Sequence, residues 1–270
     1  ASTSSSSNTT TTTHFQPPRS YAINDVAWSD SKFSLNVAVL ATCSNAGDLI
    51  VWNLSRGITQ SKSSFNLPIL PSPIMSSALI PTIFLGYTLR WTVFTTLFTG
   101  VCFMGHSRSV HRIHFNPNAP NEIISASHDG TVKLFDVRDQ SCRLVFHVRT
   151  TAPSPARDVV YCPREGHTLA AAFENGLVCI WDTRNESRPA RCFQAHNAVS
   201  ASIDWHPMWN SSESSRNWLA TAGGRDNTIK VWDLNKTSPT TVYSLRTKNT
   251  GNIRWRVGEV GHLYYSLVPG

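Results

Sequence analysis

Charge is scarce in this 270-residue sequence: Asp, Glu, Lys and Arg together make up 15% of it. Hydrophobic residues reach 40%, so the chain is not a disordered polyampholyte, which needs more charge and less apolar surface. The net charge is +7, yet Lys and Arg nowhere form a run, and the stripe of clustered cations that a nucleic-acid groove requires is missing. Nucleic acid is therefore not an expected partner. No G-x-G-x-x-G, P-loop, H-E-x-x-H or G-x-S-x-G occurs, which removes the usual nucleotide, metalloprotease and serine-hydrolase signatures. No enzymatic activity, cofactor, metal site or small-molecule substrate is expected. The six cysteines (Cys43, Cys102, Cys142, Cys162, Cys179 and Cys192) form no C-x-x-C pair and match no zinc or disulfide spacing. They read as buried thiols of a reducing compartment. Residues 1–13 are Ser/Thr-rich and lack the apolar core of a secretory signal, and a chain opening at Ala1 reads as a fragment.

Aromatic residues, by contrast, are plentiful, with nine Trp, and the apolar runs are short and broken by turn residues. That pattern points to an all-β chain. Residues 1–19 are low-complexity and are expected to be disordered. Beyond them one design occurs four times: Leu40–Trp52, Ile123–Phe135, Leu169–Trp181 and Leu219–Trp232. Each is a strand of small residues, a tight turn, and an alternating strand ending in an aromatic. Six residues before that aromatic stand Ala46, Asp129, Asn175 and Asp226; five before it stand Gly47, Gly130, Gly176 and Asn227. Gly and Asn accept the left-handed backbone that a two-residue hairpin turn demands. Asn53, Asp136, Asp182 or Asp233 follows the aromatic. Upstream lies a further alternating strand, as in Val110–Pro117, Asp158–Pro163 and Val199–Pro207, twice preceded by a histidine, His106 or His196.

A unit of four strands with Gly105-His106 or Ala195-His196 at its start and Trp181-Asp182 or Trp232-Asp233 near its end resembles a WD-repeat propeller blade. The implied fold is all-β, an incomplete WD-repeat β-propeller with about four blades and the start of another. The resemblance also implies a hydrogen-bonded network inside each blade. His196, Thr221, Asp226 and Trp232 supply a full set; His106, Ser125 and Asp129 stand with Phe135 in place of the indole; Asn175 and Trp181 remain in a blade with no clear histidine. A catalytic His–Asp pair is rejected because no nucleophile motif accompanies it. His111 and His114 lie on an alternating strand and face opposite ways, which argues against a metal site.

The propeller is expected over residues 20–256, with 257–270 left unassigned. Residues 57–99 interrupt it: Pro68, Pro71, Pro73 and Pro81 stand in or before an apolar run from Ile74 to Phe103. Three readings apply. A membrane span has Arg90 and Pro81 against it. An inserted loop would expose an apolar patch. A translated intron is compatible with the codons of Gly57-Ile58, which can hold a splice donor, and of Leu97–Gly100, which can hold a pyrimidine tract ending in AG. Without residues 57–99, 40 residues separate Trp52 from Phe135, the length of one blade. Spliced cDNA that retains these codons in the dominant transcript would exclude the intron.

Taken in order, Ser20–Trp28, Phe173–Trp181, Ala195–Asn197, Asp204–Pro207 and Trp218–Asp226 resemble the N-terminal propeller of the WD-repeat, RING-containing subunits of the GATOR nutrient-signalling complex, the SEA complex of yeast. The resemblance implies a scaffold that touches other subunits of that complex, peripheral on the lysosomal or vacuolar membrane in the cytoplasm. It also implies that amino-acid sufficiency is relayed to the TOR kinase and autophagy restrained. The RING module of that family has no counterpart in this sequence. Arg138 and Arg184 each fall two residues after a blade's Asp. They read either as caps on their own strand ends or as the WDxR signature with which substrate receptors dock on the adaptor of a cullin-type ubiquitin ligase. A histone- or RNA-binding propeller is the remaining alternative, resting on net charge alone.

Overall fold

A computed structural model describes residues 22–29, 39–53, 99–139, 141–148, 153–185, 188–209, 211, 216–248, 250–256 and 261–268. The low-complexity start and residues 57–98 lie outside the described residues. Thr99, the last residue of the predicted interruption, opens a strand.

Every described element is a strand, and each sheet is built from consecutive antiparallel strands. Blade 1 holds β1 (Ile23–Trp28), β2 (Val39–Ser44), β3 (Asp48–Asn53) and β4 (Thr99–Met104). Blade 2 holds β5 (Val110–Asn116), β6 (Ala119–Ser127), β7 (Thr131–Asp136) and β8 (Ser141–His147). Blade 3 holds β9 (Ala156–Tyr161), β10 (Thr168–Phe173), β11 (Leu177–Asp182) and β12 (Arg191–Gln194). Blade 4 holds β13 (Ser200–Trp205), β14 (Trp218–Gly223), β15 (Thr228–Asp233) and β16 (Thr240–Arg246). A fifth unit pairs β17 (Thr250–Trp255) with β18 (Leu263–Leu267). The tail left unassigned by the sequence thus supplies a second strand. The first strands of successive blades touch in order, β1 to β5 to β9 to β13 to β17, which is the hub of an incomplete propeller.

The core follows from that geometry. Each seam between two blades has its own apolar cluster. Leu49, Val51 and Phe103 meet Ile113, Phe115 and Phe135; Leu134 and Phe146 meet Val159, Leu169 and Trp181; Val160 and Ile180 meet Ile203, Trp205 and Trp232; Ile229 and Val231 meet Ile253 and Trp255. Blades converge towards the hub, so strands near it have little room and both faces covered. The run Ala170-Ala171-Ala172 of β10, fully buried, meets that demand. The outermost β16 is exposed along its whole length.

The β3–β4 connection contains residues 54–98, whereas the corresponding connections of blades 2, 3 and 4 run only from Asp136 to Ser141, Asp182 to Arg191 and Asp233 to Thr240. On both sides of the long segment the blade pairs normally, Trp52 with Gly100 and Asn53 with Thr99.

The hairpin turns do two jobs. Gly176 has φ +84°, and a Cβ there would sit 2.0 Å from the His196 carbonyl oxygen. Its own carbonyl accepts the amides of Ala195 and His196. The turn of blade 3 therefore seats the loop that enters blade 4. Gly176→Ala should destabilise the fold by about 2 kcal/mol or more, from the left-handed backbone and the backbone clash together; urea unfolding checks it.

One expectation about cysteine is corrected. Cys43 and Cys162 are buried thiols, but Cys179 and Cys192 form a disulfide. They face each other across β11 and β12, and antiparallel pairing brings together residues that no sequence spacing rule connects.

Candidate functional site

In blade 4 the four network residues meet. His196 Nδ1 lies 2.7 Å from Asp226 Oδ2, its Nε2 lies 2.8 Å from Thr221 Oγ1, and Trp232 Nε1 donates to the same Oγ1 at 2.9 Å. Burial pushes the His196 pKa down, with Asp226 opposing, so the ring is neutral at neutral pH. The donors then run one way: indole N–H to Thr221, Thr221 O–H to Nε2, and Nδ1–H to the carboxylate. In blade 2, His106 Nδ1 is 2.9 Å from Asp129 Oδ2 and Nε2 is 2.6 Å from Ser125 Oγ. Phe135 packs edge-on against His106 where blade 4 has its indole. Burial raises the Asp129 pKa, but the His106 and Thr131 hydrogen bonds outweigh it and hold the carboxyl well below its usual range. Blade 1 keeps only the last link, Trp52 Nε1 to Thr42 Oγ1 at 3.0 Å, a threonine the repeat comparison passed over.

Blade 3 has none of it. Asn175 caps its own turn through Leu177 N, Ala171 takes the hydroxyl position, and Trp181 packs against Phe146 and Phe173. Hydroxyl and histidine are thus both missing from the network positions of blade 3.

Hydroxyl, imidazole and carboxylate in series have the connectivity of a hydrolase triad. Ser125 and Thr221, however, are fully buried, and the Thr221 oxygen already receives the indole proton. A nucleophile sealed under a strand cannot reach a carbonyl, so the network fixes turns.

A second polar array, not anticipated from the sequence, links the blades at the hub. Asp25 accepts from Arg112 Nη1 at 3.2 Å and from Ile113 N at 3.0 Å. Arg112 Nε lies 3.0 Å from Asp158 Oδ1, and Asp158 Oδ2 accepts from Ser202 Oγ at 2.7 Å and Ile203 N at 3.0 Å. Ser202 continues to Asn252 at 2.9 Å, and Arg254 stands 3.5 Å from Asp158. Burial alone would raise the Asp158 pKa; the guanidinium groups of Arg112 and Arg254 with the two hydrogen bonds hold it down. Nearby, Asp204 accepts Trp255 N at 2.7 Å, and burial pushes its pKa up to about 6. A raised folded-state pKa means that the folded chain binds the proton more tightly. The stability from Asp204 is complete below about pH 4, the ordinary carboxylate value, and is lost as pH rises through about 6. Unfolding followed against pH should show up to about 3 kcal/mol lost across that window, and Asp204→Asn should flatten it.

Arg138 donates through Nε and Nη2 to Asp136, and Arg184 does the same to Asp182. Each Asp also accepts the backbone amide of its arginine, so the pair closes a local turn. Arg143 adds a second cation to Asp136. The arginines stay 60% and 68% exposed, as caps with a solvent face. A cleft of about 500 Å³ lies beside Arg184, lined by Glu165, His167, Ile180 and Trp181. His111 Nε2 is 3.4 Å from His128 Nδ1, whereas His114 turns towards Tyr161. Among the described residues, no group of three His, Cys, Asp or Glu is placed to hold a metal ion, and no helix is long and apolar enough to cross a membrane.

Comparison with known proteins adds sequence likeness to this geometry. The family model "WD domain, G-beta repeat" matches residues 96–136 and 187–233. GATOR2 complex protein WDR24 of Danio rerio is 29% identical over 249 residues, covering 92% of this chain and 25% of that protein. The Gallus gallus protein of the same name is 38% identical over 155 residues, covering 57% of this chain and 21% of that protein. Maintenance of telomere capping protein 5 of Saccharomyces cerevisiae is 31% identical over 152 residues, 56% of this chain and 12% of that protein. The chain spans about a quarter of the length of the WDR24 proteins it matches.

Proposed function

From a chain that carries WD repeats and is homologous to the GATOR2 complex protein WDR24, we propose a non-catalytic scaffold: the propeller part of a subunit of a GATOR2-type complex. The observation that carries the reading is the likeness to WDR24 proteins along 92% of the chain. The geometry supports it, since the histidines, hydroxyls and carboxylates of blades 2 and 4 are engaged with one another, leaving strand edges and loops to meet partners. The partners are the other subunits of that complex. In this reading the assembly sits on the cytoplasmic side of the lysosomal or vacuolar membrane, relays amino-acid sufficiency to the TOR kinase and restrains autophagy.

Capture of the tagged native protein from cells, with mass spectrometry of what it retains, tests this. Recovery of the other GATOR2-type subunits is expected, unchanged in the double variant Arg138→Ala/Arg184→Ala. Recovery of a cullin-ligase adaptor without them, lost in that variant, would overturn the proposal and make the two caps a binding site. Signalling is tested separately, by TOR-kinase output after amino-acid withdrawal and return in cells lacking the protein.

A further inference from the structure

We infer that Cys179 and Cys192 are a reversible thiol–disulfide exchange site for a low-molecular-weight disulfide such as oxidised glutathione. Three features of place carry this. The cysteines are directly opposed on β11 and β12, with Cα atoms 4.2 Å apart, so either redox state is reached without remodelling the blade. β12 is a four-residue outer strand with no strand beyond it among the described residues, so only an edge has to yield. The Cys192 residue is exposed while Cys179 is fully buried, which gives the reagent one entry sulfur and hides the other.

The remaining thiols make the pair selective. Burial pushes Cys43 and Cys162 up to about 12 and Cys102 up to about 11, so they stay protonated and unreactive. Cys142 is exposed and has no disulfide partner.

The step balances as follows. The Cys192 thiolate attacks one sulfur of oxidised glutathione, the S–S bond breaks, and one glutathione thiolate leaves. The Cys179 thiolate then attacks the Cys192 sulfur of the mixed disulfide and expels the second glutathione. Two protein thiols lose two electrons and two protons, and one disulfide becomes two glutathione thiols. Reduction runs the same path backwards, entering at Cys192.

The position has a consequence for blade 4. In blades 2 and 4 the residue corresponding to Cys179 is a lysine, and Lys133 and Lys230 tie the carbonyls of Gly105 and Ala195 ahead of each network histidine. Blade 3 has the sulfur bridge instead, three residues before the Ala195-His196 loop. Gln194, next to that loop, donates to Asn175 O and His196 O at 2.8 and 2.7 Å. The bridge thus clamps the strand that delivers His196.

The full chain, equilibrated in buffers of reduced and oxidised glutathione and analysed by non-reducing peptide mass spectrometry, tests the inference. Oxidised glutathione should join the Cys179 and Cys192 peptides, reduced glutathione should free them, and Cys142 should carry at most a glutathione adduct. Cys179→Ser should trap glutathione on Cys192. Trypsin cutting after Arg191 should be several-fold slower in the oxidised chain. A bridge that survives reduced glutathione in the folded chain would overturn the inference in favour of a permanent cross-link. So would free thiols after oxidised glutathione, or a Cys179→Ser chain with no adduct on Cys192.

Discussion

Arg112→Met should destabilise the chain by about 3–5 kcal/mol at pH 7, the range for removing one partner of a buried ion pair. Arg112 lies between two carboxylates from neighbouring blades, 3.2 Å from Asp25 and 3.0 Å from Asp158, and its side chain is 18% exposed. Methionine keeps much of the stem's packing and removes the charge. Asp158, whose side chain is fully buried, is then left with Ser202, the amides of Val159 and Ile203, and the more distant Arg254. The pH dependence gives the mechanism away. In the native chain the Asp158 pKa is depressed, so its contribution is present above the unfolded carboxylate value and is lost as pH falls through the folded one. Without Arg112, burial becomes the dominant influence and the Asp158 pKa rises. The variant should therefore regain stability relative to the native chain as pH falls towards 4. Adding Asp158→Asn should recover part of the loss at pH 7, because the stranded charge is gone. Urea unfolding of the three chains at two pH values checks this; a penalty independent of pH and untouched by the second substitution would reduce Arg112 to a packing residue.

Much of this fold was legible because turns are written in residue type. The Ala46-Gly47, Asp129-Gly130, Asn175-Gly176 and Asp226-Asn227 pairs announce positive φ, and the structure has it at Gly47, Gly130, Gly176 and Asn227. With four turns in register the strand order follows, while the His–hydroxyl–Asp–Trp array came from the likeness to WD-repeat blades. The hub array was passed over because its residues differ in type. Asp25, Arg112, Asp158, Ser202 and Asn252 have no one residue type or charge in common, although each is polar and each precedes the β-branched Val26, Ile113, Val159, Ile203 or Ile253. The signal was one of position, a polar residue before a β-branched one in the first strand of each unit, and a search for repeated words does not find it. The Cys179–Cys192 bridge escaped for another reason. Which residue of β12 faces Cys179 depends on the path of the connection from Asp182 to Arg191, and that length differs in every blade.

The difference between blades 2 and 4 leads to the second large effect. Thr221→Val is nearly isosteric, yet it takes away the acceptor of the Trp232 indole and the donor to His196 Nε2 at one stroke. Two buried groups lose partners, at about 1–3 kcal/mol each, so a loss of about 2–6 kcal/mol is expected. Ser125→Ala in blade 2 strands only His106 Nε2, since Phe135 has no N–H to satisfy. It should cost less, by roughly the worth of one orphaned indole. The comparison becomes internal when Trp232→Phe is added to Thr221→Val. That pair rebuilds the blade 2 arrangement at the aromatic, removes the orphaned donor, and should cost less than the sum of the two single changes. Equal penalties for Thr221→Val and Ser125→Ala, with strict additivity in blade 4, would mean that the indole bond adds nothing to the network. A coupling of about 1 kcal/mol or more would instead mean that the indole bond strengthens the network, and that a blade with phenylalanine at this position, as in blade 2, loses its hydroxyl at a lower cost because no indole N–H is orphaned.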